Sequence, residues 1–169
     1  FDSQLSMKDH VGRVCRVSLY QLRQLRVIRN SLTFKACNQL VHAFVCSRLD
    51  YCNSLLSGIT DQLMGQLQTV LRTAARLVLQ KRKFDSVTSD IRDKLHWLPV
   101  RQRIAYKLCF LVYKCLHGEA PPYLSELVMP VSAIPALSSH RSAEHGDVVI
   151  SHTITKTFGP RGFASSGPS

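Results

Sequence analysis

The chain has 169 residues, 45% of them apolar, which is enough to bury a core and excludes a disordered tail. Twenty-two Lys and Arg face eleven Asp and Glu, a formal net charge of +11, and an excess of that size on a folded chain points to a polyanionic partner. The longest apolar runs, such as residues 108–113, fall short of the roughly 20 residues that span a bilayer, and Phe1-Asp-Ser-Gln-Leu has none of the marks of a secretory signal.

In chain order, helical patterns dominate. In the first segment Val14, Val17, Leu25 and Ile28 share one arc at about 100° per residue, with Arg16 and Arg23 on the other side. A second segment begins near Ser31 or Thr33, either suited to cap it, with Ala36, Leu40, Ala43 and Phe44 as its apolar stripe and Lys35, Asn38 and His42 on the wet side. Gly58 and Thr60-Asp61 offer a stop and a new cap. The third segment then repeats Leu63, Leu67, Val70, Leu71, Ala74, Leu77 and Val78 at steps of three and four, with Arg72 and Arg76 opposite. Lys81-Arg82-Lys83 ends it, where cations suit the negative end of the helix dipole.

Beyond the turn at residues 84–87, Thr88 or Ser89 is placed to cap a short helix reaching Leu95, and Pro99 to open another. That next helix is apolar around most of its circumference, through Ile104, Leu108, Leu111, Val112, Cys115 and Leu116, and polar on Arg103, Lys107 and Lys114; it is expected to be largely buried. Gly118 marks its end. Pro121-Pro122 starts one more short helix over residues 123–128. The texture then changes: Asp147-Val-Val-Ile-Ser-His152 and Thr153-Ile-Thr-Lys-Thr-Phe158 are rich in β-branched residues and bounded by Gly146 and Gly159, which predicts a small β-hairpin. The expected fold is mainly α, a helical bundle with a small C-terminal β-hairpin. Its expected divisions are a thumb-like three-helix unit over 1–83, a helical connection over 84–130 and a short β or irregular segment over 131–169.

Candidate chemistry is sparse. The six cysteines, at 15, 37, 46, 52, 109 and 115, include no Cys-x-x-Cys pair and read as reduced packing residues. The seven histidines form no ligand cluster, and no nucleophile with a base is legible. Asp85, Asp90 and Asp93 sit among Lys and Arg and read as caps or local ion-pair partners. Asp50 and Tyr51 read as a helix terminator, the carboxylate accepting backbone N–H bonds and the ring packing below. His96 and Trp97, the single tryptophan, read as packing residues between helices. The basic groups carry more: a helix that presents Arg or Lys on successive turns meets several phosphates at once while its far side stays in the core. The candidate nucleic-acid residues are Arg16, Arg23, Arg72, Arg76, Lys81, Arg82, Lys83, Arg101, Arg103, Lys107 and Lys114.

Two phrases, Ser47-Arg-Leu-Asp-Tyr-Cys-Asn-Ser-Leu-Leu56 and Leu95-His-Trp-Leu-Pro-Val-Arg-Gln-Arg-Ile104, stand out. With Gln21-Leu-Arg-Gln-Leu25, Ala74-Ala-Arg-Leu77, Tyr113-Lys-Cys-Leu-His-Gly118, Ala120-Pro-Pro-Tyr-Leu124, His140-Arg-Ser-Ala143 and Thr157-Phe-Gly-Pro-Arg161, they resemble, in order, the C-terminal part of the reverse transcriptase of LINE-type non-LTR retrotransposons, in particular the chicken-repeat and jockey-like clades. The resemblance covers almost the whole chain. It implies a thumb and post-thumb fragment, cut from a longer polyprotein after its palm, that grips an RNA template and a DNA primer. The family's Tyr-Ala-Asp-Asp or Phe-Ala-Asp-Asp motif and its endonuclease signatures are absent from these 169 residues, so no polymerase activity is expected of the fragment. The divalent metal of the parent polymerase, Mg2+, would belong to the palm. An intracellular setting, cytoplasmic or nuclear, is expected. The alternatives are a helical protein-interaction or domesticated scaffold module whose basic stripes meet acidic protein surfaces, and a relic reading frame without independent function.

Overall fold

A computed structural model of the chain describes residues 7–135, 147–149 and 162–167. Two compact units are present, one of Phe1–Asn53 with Ile59–Arg103, the other of Ser54–Gly58 with Ile104–Ser169. The expectation of a mainly α chain holds: the described residues form helices α1 (Lys8–Ile28), α2 (Phe34–Val41), α3 (Ser47–Asp50), α4 (Asp61–Val78), α5 (Thr88–Asp93), α6 (Val100–Leu116), α7 (Pro122–Ser125) and α8 (Phe163–Ser166).

In the first unit the most extensive packing joins α1 to α4. The α4 stripe is as its period predicts, with Leu63, Leu67, Val70, Leu71, Ala74, Leu77 and Val78 all buried. At α1 the register differs. Val11, Ser18, Leu22 and Leu25 are the buried residues, Val14 and Val17 are half-buried, and Ile28 is exposed. The packed face runs through a serine, which an apolar count passes over.

The second segment starts as predicted, Thr33 Oγ1 accepting the Ala36 N–H at 3.2 Å. Its expected stripe of Ala36, Leu40, Ala43 and Phe44 is replaced by Cys37, Val41, Val45, Cys46 and Leu49, with Phe44 exposed. Within α2 the packed face is already rotated by one residue, to Cys37 and Val41; beyond it, a π-helical turn over His42–Cys46 joins α2 to α3. One wide turn shifts every later side chain off the 3.6-residue period, so the buried positions step from Val41 to the adjacent pair Val45 and Cys46.

The turn after α4 uses an unexpected residue. Gln80 is left-handed at φ 55°, Lys81 N–H bonds to Arg76 O at 2.9 Å and Gln80 N–H to Leu77 O at 3.4 Å, the paired geometry that closes a helix and usually recruits glycine. The α5 helix begins at Thr88, so Val87, not Thr88 or Ser89, occupies the cap position.

In the second unit, α6 is not largely buried. Ile104, Leu108 and Cys115 are covered, while Tyr106, Phe110, Tyr113 and Leu116 are exposed; the packed face is one strip, and the rest of the apolar run is an aromatic side turned outward. Gly118 ends the helix as predicted, at φ 69°, with Glu119 N–H to Lys114 O at 2.9 Å. Pro122 opens α7, which is shorter than expected. Most of the predicted hairpin falls outside the described residues. Where it is described, no strand forms: Val148 makes an isolated antiparallel bridge with Pro130, supported by Val131 N–H to Asp147 O at 2.9 Å and Val149 N–H to Met129 O at 2.8 Å.

Candidate nucleic-acid interface

The geometry around the end of α4 begins with a buried cation. Arg29, in the 3-10 turn after α1, is 7% exposed. Its guanidinium donates from Nε to Leu77 O at 2.9 Å, from Nη2 to Val78 O at 2.8 Å and from Nη1 to Leu32 O at 2.9 Å. The last carbonyls of a helix lack intrahelical partners and carry the negative end of its dipole. Arg29 answers both needs and ties the end of α1 to the end of α4. No sequence motif announces this, because the partners lie about fifty residues away and are backbone atoms.

Beside that tie lies a groove of about 720 Å³ between the two helix ends, lined by Arg26, Arg29, Asn30, Thr73, Arg76, Leu77 and residues 80–83. A smaller recess, sharing Arg26 and Thr73 with it, is lined by Leu19, Leu22 and Arg23 as well. Five cations with exposed or half-exposed side chains, Arg23, Arg26, Arg76, Arg82 and Lys83, therefore border two adjoining recesses that share Arg26 and Thr73. Arg76 Nε donates to the Asp85 carbonyl at 3.2 Å, while the Asp85 carboxylate accepts the Arg82 backbone N–H at 2.8 Å and is the acid nearest the groove in sequence. None of the five makes an ion pair among the described residues.

Of the candidate residues, then, Arg23, Arg76, Lys81, Arg82 and Lys83 come together, joined by Arg26, which sequence reasoning missed. Arg16 and Arg72 are exposed outside this groove. Lys81 is occupied: it pairs with Asp90 and donates to Ser86 O at 2.9 Å. Arg101 pairs with Asp61 on the surface. Arg103 has a structural role, its side chain 13% exposed, with Nη1 2.8 Å from Asp50 Oδ2 and Nε 2.7 Å from Leu98 O. Lys107 and Lys114 belong to the second unit, on α6. A second recess, about 640 Å³, lies between α1 and the π turn and α3. Val14, Val17 and Ala43 give it apolar walls, and Arg13, Arg48 and Tyr51 its polar edge. Its presence explains why Val14 and Val17 are only half-covered.

The phrase around Asp50 has a different structural role from the one its sequence suggests. Asp50 pairs with Arg103 instead of accepting backbone N–H bonds, and Tyr51 is 70% exposed, not packed. Trp97 is buried, as expected, edge-on to His42 with centroids 5.2 Å apart. Partial desolvation beside Trp97, helped by the Arg103 charge and opposed by Asp50, holds the His42 imidazole below its usual range. Burial likewise pushes the Cys46 thiol up to about 11, which makes it an inert packing group. His96 is exposed and left-handed at φ 54°, so it makes the turn before Trp97 without packing in it.

Asp90 shows how the region after α4 is fixed. The carboxylate is buried between Lys81 and Lys94, Oδ1 lying 2.7 Å from Lys94 Nζ. Hydrogen bonds from Lys81 first and Lys94 second hold its carboxyl below the usual carboxylate range of 3.8. A depressed folded value contributes stability that is present above the unfolded value and lost as pH falls through the folded one. Hydrogen exchange of residues 81–95 should therefore accelerate in wild-type protein as pH falls from about 5 to about 3, after correction for intrinsic rates. In Asp90→Asn the same residues should exchange fast already at pH 5, with little further change.

A two-metal centre needs carboxylates that converge. Asp50, Asp61, Asp90 and Asp93 each pair with a cation instead, and no three His, Cys, Asp or Glu among the described residues are grouped to hold a metal ion. The acids among the described residues do not suit the Mg2+ that the family resemblance implies for the parent polymerase. No described helix is long and apolar enough to cross a membrane. Compared with protein-family models, curated proteins and solved structures, the chain finds a match in none of the three.

Proposed function

We propose that this chain is a non-catalytic, phosphate-gripping helical module, the thumb and following connection of a LINE-type non-LTR retrotransposon reverse transcriptase, holding an RNA template and DNA primer while a palm elsewhere in the parent protein performs bond formation. The observation that carries the reading is the groove between the ends of α1 and α4 with its adjoining recess, bordered by Arg23, Arg26, Arg76, Arg82 and Lys83, none of which pairs with a carboxylate among the described residues. Such an arrangement meets the backbone of a duplex and has no base-reading geometry, so affinity should depend on charge and hardly on sequence. The ordered phrases shared with the retrotransposon family supply the identity of the duplex.

The test is fluorescence anisotropy of the full chain with labelled RNA–DNA hybrids of unrelated sequences. Binding should be similar across sequences and fall steeply between about 50 and 200 mM salt. Binding that ignored salt, or transfer of affinity to acidic proteins with none for the hybrid, would favour an interaction scaffold and end the proposal.

A further inference from the structure

The exposed side of α6 is a separate feature that the groove does not use. Tyr106, Phe110, Tyr113 and His117 fall within roughly 60° of one another at about 100° per residue, one aromatic on each successive turn. Tyr106 is 62% exposed, Phe110 39% and Tyr113 53%. The rings are ordered against one another: Tyr106 and Phe110 are near-parallel at 6.1 Å, and Tyr113 and His117 stack at 3.9 Å. The His117 Nδ1 lies 2.9 Å from Tyr113 O, which fixes the imidazole orientation.

Beside this column lie two cations, Lys107 and Lys114, seven residues and therefore two turns apart. Lys107 is exposed and has no ion pair among the described residues. Lys114 Nζ sits 5.0 Å from the Phe110 ring centroid and 4.0 Å from Glu119. Helix α6 itself contains no acidic residue. An exposed aliphatic face would suit a hydrophobic protein partner. Planar rings spaced one helical turn apart, about 6 Å, and flanked by lysines instead suit a chain that alternates flat bases with phosphates.

We propose that this face of α6 is a stacking platform for single-stranded nucleic acid, on which the ring column of Tyr106, Phe110 and Tyr113 takes bases while Lys107 and Lys114 meet the phosphates. Stacking on an aromatic tolerates any base, since every base has a π-face, and it is lost in a paired duplex whose bases are already stacked. The site is thus chemically distinct from the α1–α4 groove and does not depend on it.

The experiment uses the full chain with a short oligouridine carrying 4-thiouridine, at about 50 mM salt. Photo-crosslinks should map to Tyr106, Phe110 or Tyr113, and Tyr106→Ala with Tyr113→Ala should weaken binding about ten-fold or more. Tyr106→Phe with Tyr113→Phe, which keeps both rings, should retain it. Circular dichroism and thermal melting of the Ala pair should match the parent, since both residues are exposed; if the Ala pair melts early, the Phe pair and the crosslink map carry the test. Crosslinks confined to other residues would overturn the proposal. So would unchanged oligouridine binding in the Ala pair, including the case in which those substitutions instead disperse a self-associated species. Hybrid binding that fails while α6 crosslinks persist would count against the groove alone, and intact hybrid binding without α6 crosslinks against this site alone.

Discussion

Arg29→Met is expected to lower the stability of the chain by about 3 kcal/mol, read as a fall in melting temperature on the order of 10 °C. The side chain lost is apolar enough in volume to be replaced; what cannot be replaced are its partners, which are backbone carbonyls. When a buried charged pair is exchanged as a whole for apolar residues, the desolvation relief can cancel the loss. Here only one side can be exchanged. Val78 O and Leu77 O stay behind at the end of α4, and Leu77 O keeps only backbone contacts within its own turn, from Leu79 N–H and from Gln80 N–H at 3.4 Å. Each buried acceptor left without a donor costs roughly 1–3 kcal/mol. Arg29→Lys should fall between the two, because a single ammonium cannot span three carbonyls held in different directions. A melting temperature for Arg29→Met within about 2 °C of the parent would mean that water or local relaxation satisfies these carbonyls and that the tie between α1 and α4 is held by apolar packing alone.

Charge reversal in the groove should have the largest effect on binding. Arg26→Glu with Arg82→Glu is expected to reduce affinity for an RNA–DNA hybrid by about a hundred-fold at low salt and to flatten the slope of log affinity against log salt by about 2, since each lost phosphate contact removes roughly 0.9. Net charge by itself would produce part of that loss through long-range attraction. Lys35→Glu with Arg92→Glu, both exposed and outside the groove, makes the same change in net charge and should cost far less affinity and leave the slope nearly intact. Equal losses in the two variants would show that the chain attracts polyanions as a diffuse basic body, with no seat between α1 and α4. Neither Arg26 nor Arg82 makes a side-chain bond that holds the fold among the described residues, so melting temperatures should stay close to the parent.

How much of this was legible in advance depends on whether the signal is local. The α4 stripe was, because seven apolar residues at steps of three and four permit one buried face, and so were the Thr33 cap and the Gly118 stop. The clustering of Arg76 with residues 81–83 was foreseeable from their closeness in sequence. Arg26 was not, since its partners in the groove come from α4 and the turn after it, about fifty residues later.

The amino-acid sequence by itself determined a helical, strongly basic chain with few candidate catalytic groups, since composition, period and capping chemistry act over a turn or two of backbone. Only the tertiary structure decided which cations are free. Arg29 and Arg103 are both arginines on or beside helices, yet one closes the end of α4 and the other pairs with Asp50, while Arg26 and Arg82 border an open groove. The same holds for the rings of α6, apolar by composition but turned outward. A side chain's charge or hydrophobicity is written in the chain; whether it is spent on the fold or left for a partner depends on distant neighbours that meet only when the helices pack.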